Sequence, residues 1–449
     1  MRQVFEQAAD AALRYLEGID ERPVAPDPAA VAALSDLAGP LPEAGEASAD
    51  VIAMLDRTGG PGTIASAGPR YFGFVTGGAV PAAAAAGWLA SAWDQNAFST
   101  VSSPLGAAVE AACVPWLLDL LGLPEEAACG FVTGATMANF TCLAAARNAV
   151  LAREGWDVEA DGLIGAPPVI VLVGGEVHAS LLKALRLVGF GAGRLVRVPA
   201  DGQGRMRGGA LPAFSGPAIL CLQAGNVNTG AFDPADRLVP QAREMGAWVH
   251  VDGAFGLWAA AAPQRRHLMA GYADCDSWAV DAHKWLNVPY DSGLAFVRDA
   301  DALRRAMTIS AAYLPEHAAR EPYDHTPESS RRARGVEIWA ALRALGRQGV
   351  ADLVERCCRH ATRFAEGLQS AGYEVLNDVV LNQVLVSFGD DETTRRVIEG
   401  VQAEGTCWCG GTFWQDRQAM RISVSSWATT AEDVERSLAA IIRVAQSNR

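Results

Sequence analysis

Lysine is almost absent from this chain: Lys183 and Lys284 are the only two, and every other basic residue is an arginine. Arginine holds its proton at any usable pH, whereas a buried or paired lysine can become a nucleophilic amine. A lysine retained in such a background is a candidate for chemistry that arginine cannot perform. Lys284 follows a short, mostly apolar run, Ser277-Trp278-Ala279-Val280, and stands beside His283 in Asp281-Ala282-His283-Lys284-Trp285. An amine in a partly apolar site next to an imidazole can condense with an aldehyde.

Three other segments present chemical groups in a similar setting. Phe131-Val132-Thr133 runs into Gly134-Ala135-Thr136-Met137-Ala138-Asn139. Small residues between a strand and a helix let backbone N–H groups approach an anion such as phosphate, and Thr136 adds a hydroxyl. His178 ends Val173-Gly174-Gly175-Glu176-Val177 and opens a helix; it is either a capping histidine or an imidazole that stacks on a flat ligand. Trp248-Val249-His250-Val251 leads to Asp252, followed by Gly253 and Ala254. Asp252 could bind a metal, orient a base or pair with a protonated ring nitrogen. His250 shares its face of the strand, but Asp252 is favoured because it lies at the strand end.

These groups need a scaffold that gathers strand ends. Short apolar runs, Phe131–Thr133, Val169–Val173, Leu195–Val198, Ile219–Gln223, Trp248–Asp252, Ser277–Val280 and Leu294–Val297, alternate with helical stretches. Such a pattern predicts an α/β fold: a mostly parallel seven-stranded sheet covered on both faces, with ligands at the carboxyl ends of its strands. A phosphate cradle, a stacking ring, an acid and an amine at one sheet edge are the parts needed to hold an aromatic aldehyde phosphate with a protonatable ring nitrogen, which describes pyridoxal 5′-phosphate (PLP).

Residues 2–18 place Phe5, Ala8, Ala12 and Leu16 at helical spacing, which predicts a helix with one apolar face. The spacing elsewhere predicts four segments: 1–60, 61–300, a connector over 301–345, and a small α+β domain over 346–449. The net charge of −14 and the lack of a basic cluster argue against nucleic-acid binding. No apolar run approaches the ~20 residues of a spanning helix, the acidic N-terminus is unlike a targeting signal, and the nine scattered cysteines suit a reducing compartment. The cytoplasm is the expected location, with no membrane partner and no metal.

The ordered blocks resemble the group II PLP-dependent amino acid decarboxylases. They are Tyr71-Phe72-Gly73, Trp93-Asp94-Gln95-Asn96, Ser103-Pro104, Thr133–Asn139, His178-Ala179-Ser180, Gly230–Pro234, His250–Gly256, Asp281–Trp285, Ser330–Arg334 and Met420–Val424. The resemblance implies the fold-type I architecture, a homodimer wrapped by its N-terminal segments with the active site at the subunit interface, and release of CO₂ and an amine from an L-amino acid. It implies that Lys284 forms the Schiff base, Asp252 pairs with the pyridine nitrogen, and His178 stacks on the ring opposite Ala254. Ala135, Thr136 and His283 would bind the phosphate, with Asn228 nearby. Tyr323 would protonate Cα, with Tyr313, His325 and His178 as competitors. Met137 replaces the usual acid of the phosphate loop, and Gly253 the usual alanine. Tyr71, Phe72 and Trp93 are expected at the substrate pocket, leaning toward an aromatic or apolar side chain. An aldehyde synthase, an aminotransferase or a lyase would use the same Lys284 and Asp252, and a non-catalytic protein that kept the fold is the remaining alternative.

Overall fold

In the computed structural model, which describes residues 1–209, 211–308 and 320–448, the chain forms two compact units. The larger comprises residues 77–362 and 377–384; the smaller comprises residues 1–76, 363–376 and 385–449. This division departs from the four expected segments. The N-terminal residues join the C-terminal ones in a single unit, and the described part of the 301–345 connector belongs to the larger.

The larger unit is built on seven strands: β1 (Ala128–Val132), β2 (Ile170–Gly174), β3 (Val196–Val198), β4 (Ala218–Gln223), β5 (Trp248–Asp252), β6 (Ser277–Asp281) and β7 (Gly293–Val297). Their spatial order is β1-β7-β6-β5-β4-β2-β3. Strands β3, β2, β4, β5 and β6 are parallel, while β7 runs antiparallel to both β6 and β1. Since β7 reverses twice, β1 points the same way as β6. The carboxyl ends of β1, β2, β4, β5 and β6 therefore share one edge.

All five residues of β5, β6 and β7 are buried, as expected for central strands with both faces covered. The helices Ala135–Arg153 and Ala179–Leu187 supply one cover. Their Ala138, Cys142, Leu143, Leu181 and Leu185 share a core cluster with Val173, Cys221 and Ala295 of the sheet. Burial of this kind contributes roughly 25 cal/mol per Å² of apolar surface. His250 is part of this support. It is fully buried, with Nδ1 at 2.9 Å from Ser277 Oγ and Nε2 at 2.8 Å from Asn139 Oδ1. Burial lowers its pKa to about 3, so it is a neutral core residue.

A second, four-stranded sheet comprises β8 (Glu374–Val375), β9 (Gln383–Ser387), β10 (Gly410–Trp414) and β11 (Arg417–Ser423), in the order β10-β11-β9-β8, and all of it but the first two residues of β9 belongs to the smaller unit. The helix Arg2–Glu17 belongs to this unit and buries none of its residues. Arg70 fixes the N-terminal segment against the C-terminal part, donating to Asp20 O (2.5 Å), Thr406 O (2.8 Å) and Asp433 Oδ1 (3.0 Å).

Candidate active site

Lys284 follows β6 on the single helical turn Ala282–Trp285. Its Nζ lies 2.9 Å from Asp281 Oδ2, and its side chain keeps 18 % of its surface exposed. Burial alone would pull the ammonium pKa down, but the attraction of Asp281 and then of Asp252 outweighs it and the net shift is upward. The lysine is thus a charged group held by a carboxylate.

His283 sits beside it. The backbone N–H of Ser292 donates to Nδ1 at 3.2 Å, so the ring proton is assigned to Nε2, which faces Asp281 Oδ1 at 3.3 Å. Burial depresses the His283 pKa, more than neighbouring Asp281 restores it. Tyr290, an exposed ring, packs against His283 with centroids 4.3 Å apart.

The β1 end delivers the anion cradle. Gly134 is the N-cap of the helix Ala135–Arg153 and supplies no side-chain cap. The Ala135 N–H donates to Asp281 Oδ1 at 2.5 Å. Among the described residues, the N–H groups of Thr136 and Met137 and the Thr136 hydroxyl have no acceptor. A helix N-terminus with free amides and a hydroxyl is an anion site. The backbone is pinched there: a Cβ on Gly293 of β7 would lie 2.4 Å from Gly134 Cα, and one on Gly134 would lie 3.0 Å from His283 Cε1.

Asp252, at the end of β5, is buried and accepts the Ala254 N–H at 3.3 Å. Burial raises its pKa, against the pull of His178 and Lys284. A desolvated carboxyl in this state gains most from an adjacent cation such as a protonated ring nitrogen. His178 caps the helix Ala179–Leu187: Ser180 N donates to its Nδ1 at 3.2 Å, and Ser180 Oγ lies 2.6 Å from the same atom. Its proton is therefore placed on Nε2. His178 and Asp252 line one cavity together with Glu176, Gln223 and Asp233. Asn228 lies in the turn after β4, where its N–H donates to Asn226 Oδ1 at 2.9 Å, and Asn226 Nδ2 donates to Gln223 Oε1 at 3.1 Å.

Lys284, His283, Ala135, Thr136, Asp252, Ala254, His178 and Asn228 thus all follow or end strands that finish at one sheet edge. The donor set fits PLP: an amine for the aldehyde, a free helix N-terminus for the phosphate, and a buried carboxyl for the ring nitrogen. Sequence reasoning passed over Asp281, Tyr290 and Asn226. Asp281 had a signal, because three residues before Lys284 on a helical turn is a contact spacing.

Tyr323 has a packing environment of its own in this chain. It lies in the turn Pro322–His325, buried, with its ring stacked on Phe98 at 4.9 Å and its N–H bonded to Phe98 O at 3.0 Å. Glu110 braces this turn from both sides, at 3.1 Å from Arg320 and 2.7 Å from Arg331. No hydrogen bond or ring contact among the described residues joins Tyr323 to the Lys284 group. His325 is buried and donates its Nδ1–H to the Glu321 carbonyl at 2.9 Å; burial holds its pKa at about 3, so it is a neutral imidazole near neutrality and not a ready acid. Tyr313 lies outside the described residues. Tyr71 and Phe72 pack inside the smaller unit, Tyr71 stacked on Trp408 at 5.1 Å and Phe72 edge-on to Phe364 at 5.1 Å. Trp93 is 45 % exposed at the end of the helix Pro81–Trp93.

Residues 31–389 match the family described as the pyridoxal-dependent decarboxylase conserved domain. Tryptophan decarboxylase 1 of Oryza sativa subsp. japonica is 26 % identical over 468 residues, spanning 95 % of this chain and 90 % of that protein. The crystal structure of Oryza sativa TDC with PLP and tryptamine superposes with a TM-score of 0.90 at 23 % identity, covering 99 % of this chain and 97 % of the other. Rhodiola rosea 4-hydroxyphenylacetaldehyde synthase has the same fold, with a TM-score of 0.84 at 22 % identity over 98 % of this chain and 96 % of the other.

Proposed function

The chain belongs to the pyridoxal-dependent decarboxylase family, and we propose that it removes the α-carboxyl group of an aromatic or apolar L-amino acid and releases the amine. The observation that carries this reading is the convergence of Lys284, Asp252, His178 and the free amides at Thr136 and Met137 on one sheet edge. Tryptophan as a substrate of a relative that spans nearly the whole chain supports an aromatic side chain.

PLP, when bound, supplies an electron sink for the pair left behind as CO₂ departs. The chain supplies the rest. Lys284 would hold the aldehyde carbon. Asp252 would keep a proton on the ring nitrogen by offering a buried countercharge. His178, its Nδ1 tied to Ser180, presents a fixed imidazole, and Ala254 leaves room on the other side. Thr136, Ala135 and His283 Nε2 would hold the phosphate, and Asn228 lies at the same edge. The proton delivered to Cα comes from a phenol of the connector, Tyr323 or Tyr313, with His178 as the rival. A phenol serves best on a segment that closes over substrate and excludes water. The stacking of Tyr323 on Phe98 and the bracing of its turn favour Tyr313.

We assign the apolar face of the helix Arg2–Glu17 to a second copy of the chain. Phe5, Leu13 and Leu16 are 64 %, 47 % and 45 % exposed, and a contiguous apolar face of this kind is a contact surface.

Product analysis with a panel of L-amino acids tests the proposal. Amine and CO₂ in equal amounts from aromatic substrates are expected. Aldehyde with ammonia, or a keto acid, in place of amine would overturn it and assign another reaction to the same site.

A further inference from the structure

Asp281 ties together groups that serve different parts of the cofactor. Its side chain is buried. Oδ2 meets Lys284 Nζ at 2.9 Å, while Oδ1 faces His283 Nε2 at 3.3 Å and accepts the Ala135 N–H at 2.5 Å. The carboxylate thereby caps a helix that its own N-cap residue, Gly134, leaves without a side-chain cap. Its backbone is fixed as well: the Asp281 N–H donates to Ala254 O at 2.9 Å, and Asp281 O accepts from Trp258 Nε1 at 3.0 Å. The side chain can turn only about its own two torsions.

Two of the three donors, the Ala135 N–H and the His283 Nε2–H, belong to the cradle for the cofactor's phosphate. The third is the amine that takes its aldehyde. A phosphate arriving at this helix N-terminus meets a carboxylate already hydrogen-bonded to the first amide of the cradle. Two anions cannot share that amide in a low-dielectric site without a large repulsion. We propose that Asp281 is a built-in stand-in for the cofactor phosphate: it satisfies the cradle in the cofactor-free chain, gives up the Ala135 N–H when phosphate enters, and so sets the affinity for phosphorylated over unphosphorylated pyridoxal. The carboxylate stabilises the empty cradle at the expense of affinity for the loaded one. Lys284 keeps its counter-ion throughout, because Oδ2 is not needed by the helix.

The test is equilibrium binding to the cofactor-stripped chain, with PLP, pyridoxal and inorganic phosphate as the three probes. Asp281→Asn removes the charge and keeps the shape. PLP affinity is expected to rise about tenfold or more relative to pyridoxal, and inorganic phosphate to bind more tightly by a similar factor. If PLP and pyridoxal shift by the same factor, Asp281 acts only as the Lys284 counter-ion and the proposal fails. Weaker or unchanged phosphate binding overturns it too. Asp281→Ala removes the charge without offering the phosphate a new donor. It is expected to shift the same ratio in the same direction, and it decides the matter should the amide variant not fold.

Discussion

Lys284 and Asp252 divide the labour of the site, and each can be removed alone. Lys284→Ala is expected to abolish borohydride fixation of the cofactor to the chain, read by absorbance and peptide mass. The only other lysine, Lys183, stands on the helix Ala179–Leu187, so a label found at Lys183 instead would show that the assignment is wrong. Asp252→Asn is expected to retain PLP and to lose turnover by on the order of 10²–10³-fold, measured as CO₂ release; an active variant would remove the ring-nitrogen role. Tyr313→Phe is expected to lower amine yield and raise aldehyde, with Tyr323→Phe changing melting temperature more than product. The reverse result would return the acid to Tyr323. At this scale the sequence was legible wherever a residue type was scarce or stood at the end of an apolar run, as Lys284 and Asp252 do. It was less legible for tyrosine, whose phenol serves packing as readily as chemistry: Tyr323 and Tyr71 are both stacked on other rings, a setting that residue type alone does not disclose.

At the scale of elements, the strands of the larger unit coincide with the apolar runs because the central ones are buried on both faces, leaving no polar alternation to blur the signal; only the edge strand β3 exposes a polar residue, Arg197. What the pattern could not disclose is that β7 runs backwards. Antiparallel and parallel central strands bury the same residues, and only the pairing of Gly293 with both Val132 and Asp281 distinguishes them. β10 and β11 form a hairpin through Gln415 and Asp416, both at positive φ (47° and 63°). Such turns are signalled in sequence by Asn-Gly or Asp-Gly, and this pair carries no such mark. Buried histidines give these elements a pH dependence. His250 and His325 both have pKa values lowered by burial from 6.5 to about 3. The unfolded chain therefore binds their protons first as pH falls. Their contribution is complete above pH 6.5 and is lost between 6.5 and 3, at up to about 1.4 kcal/mol per pH unit for each histidine. Denaturant titrations at pH 7 and 5 should show the loss, and His250→Gln should reduce the slope between them. An unchanged slope would mean that His250 is charged in the folded state.

The whole molecule presents a surface matter that its sequence announced only in part. The 3.6-residue spacing of Phe5, Ala8, Ala12 and Leu16 indicated an amphipathic helix, and the structure leaves Phe5 and Leu16 in solvent. Sequence periodicity reports that a face is apolar; it carries no information on whether the covering surface belongs to the same chain. Phe5→Asp combined with Leu16→Asp is expected to halve the mass measured by sedimentation equilibrium while leaving the smaller unit folded. A variant that keeps the wild-type mass would place the contact elsewhere. The grouping of residues 1–76 with the C-terminal unit was equally hidden. The Arg70 bonds that tie the two regions cross 336 and 363 positions of sequence, and no local pattern encodes a partner so distant.

Gly293 gives the close approach of the β1 and β6 loops a genetic reading. A side chain there would drive its first carbon to 2.4 Å from Gly134 Cα, forcing the anion cradle away from the lysine turn. Every missense change one nucleotide from a glycine codon introduces a residue with at least that carbon. The position consequently has no neighbouring codon of another meaning through which the lineage can drift while keeping this geometry, and change at Gly293 must await a compensating change that first opens the backbone around Gly134.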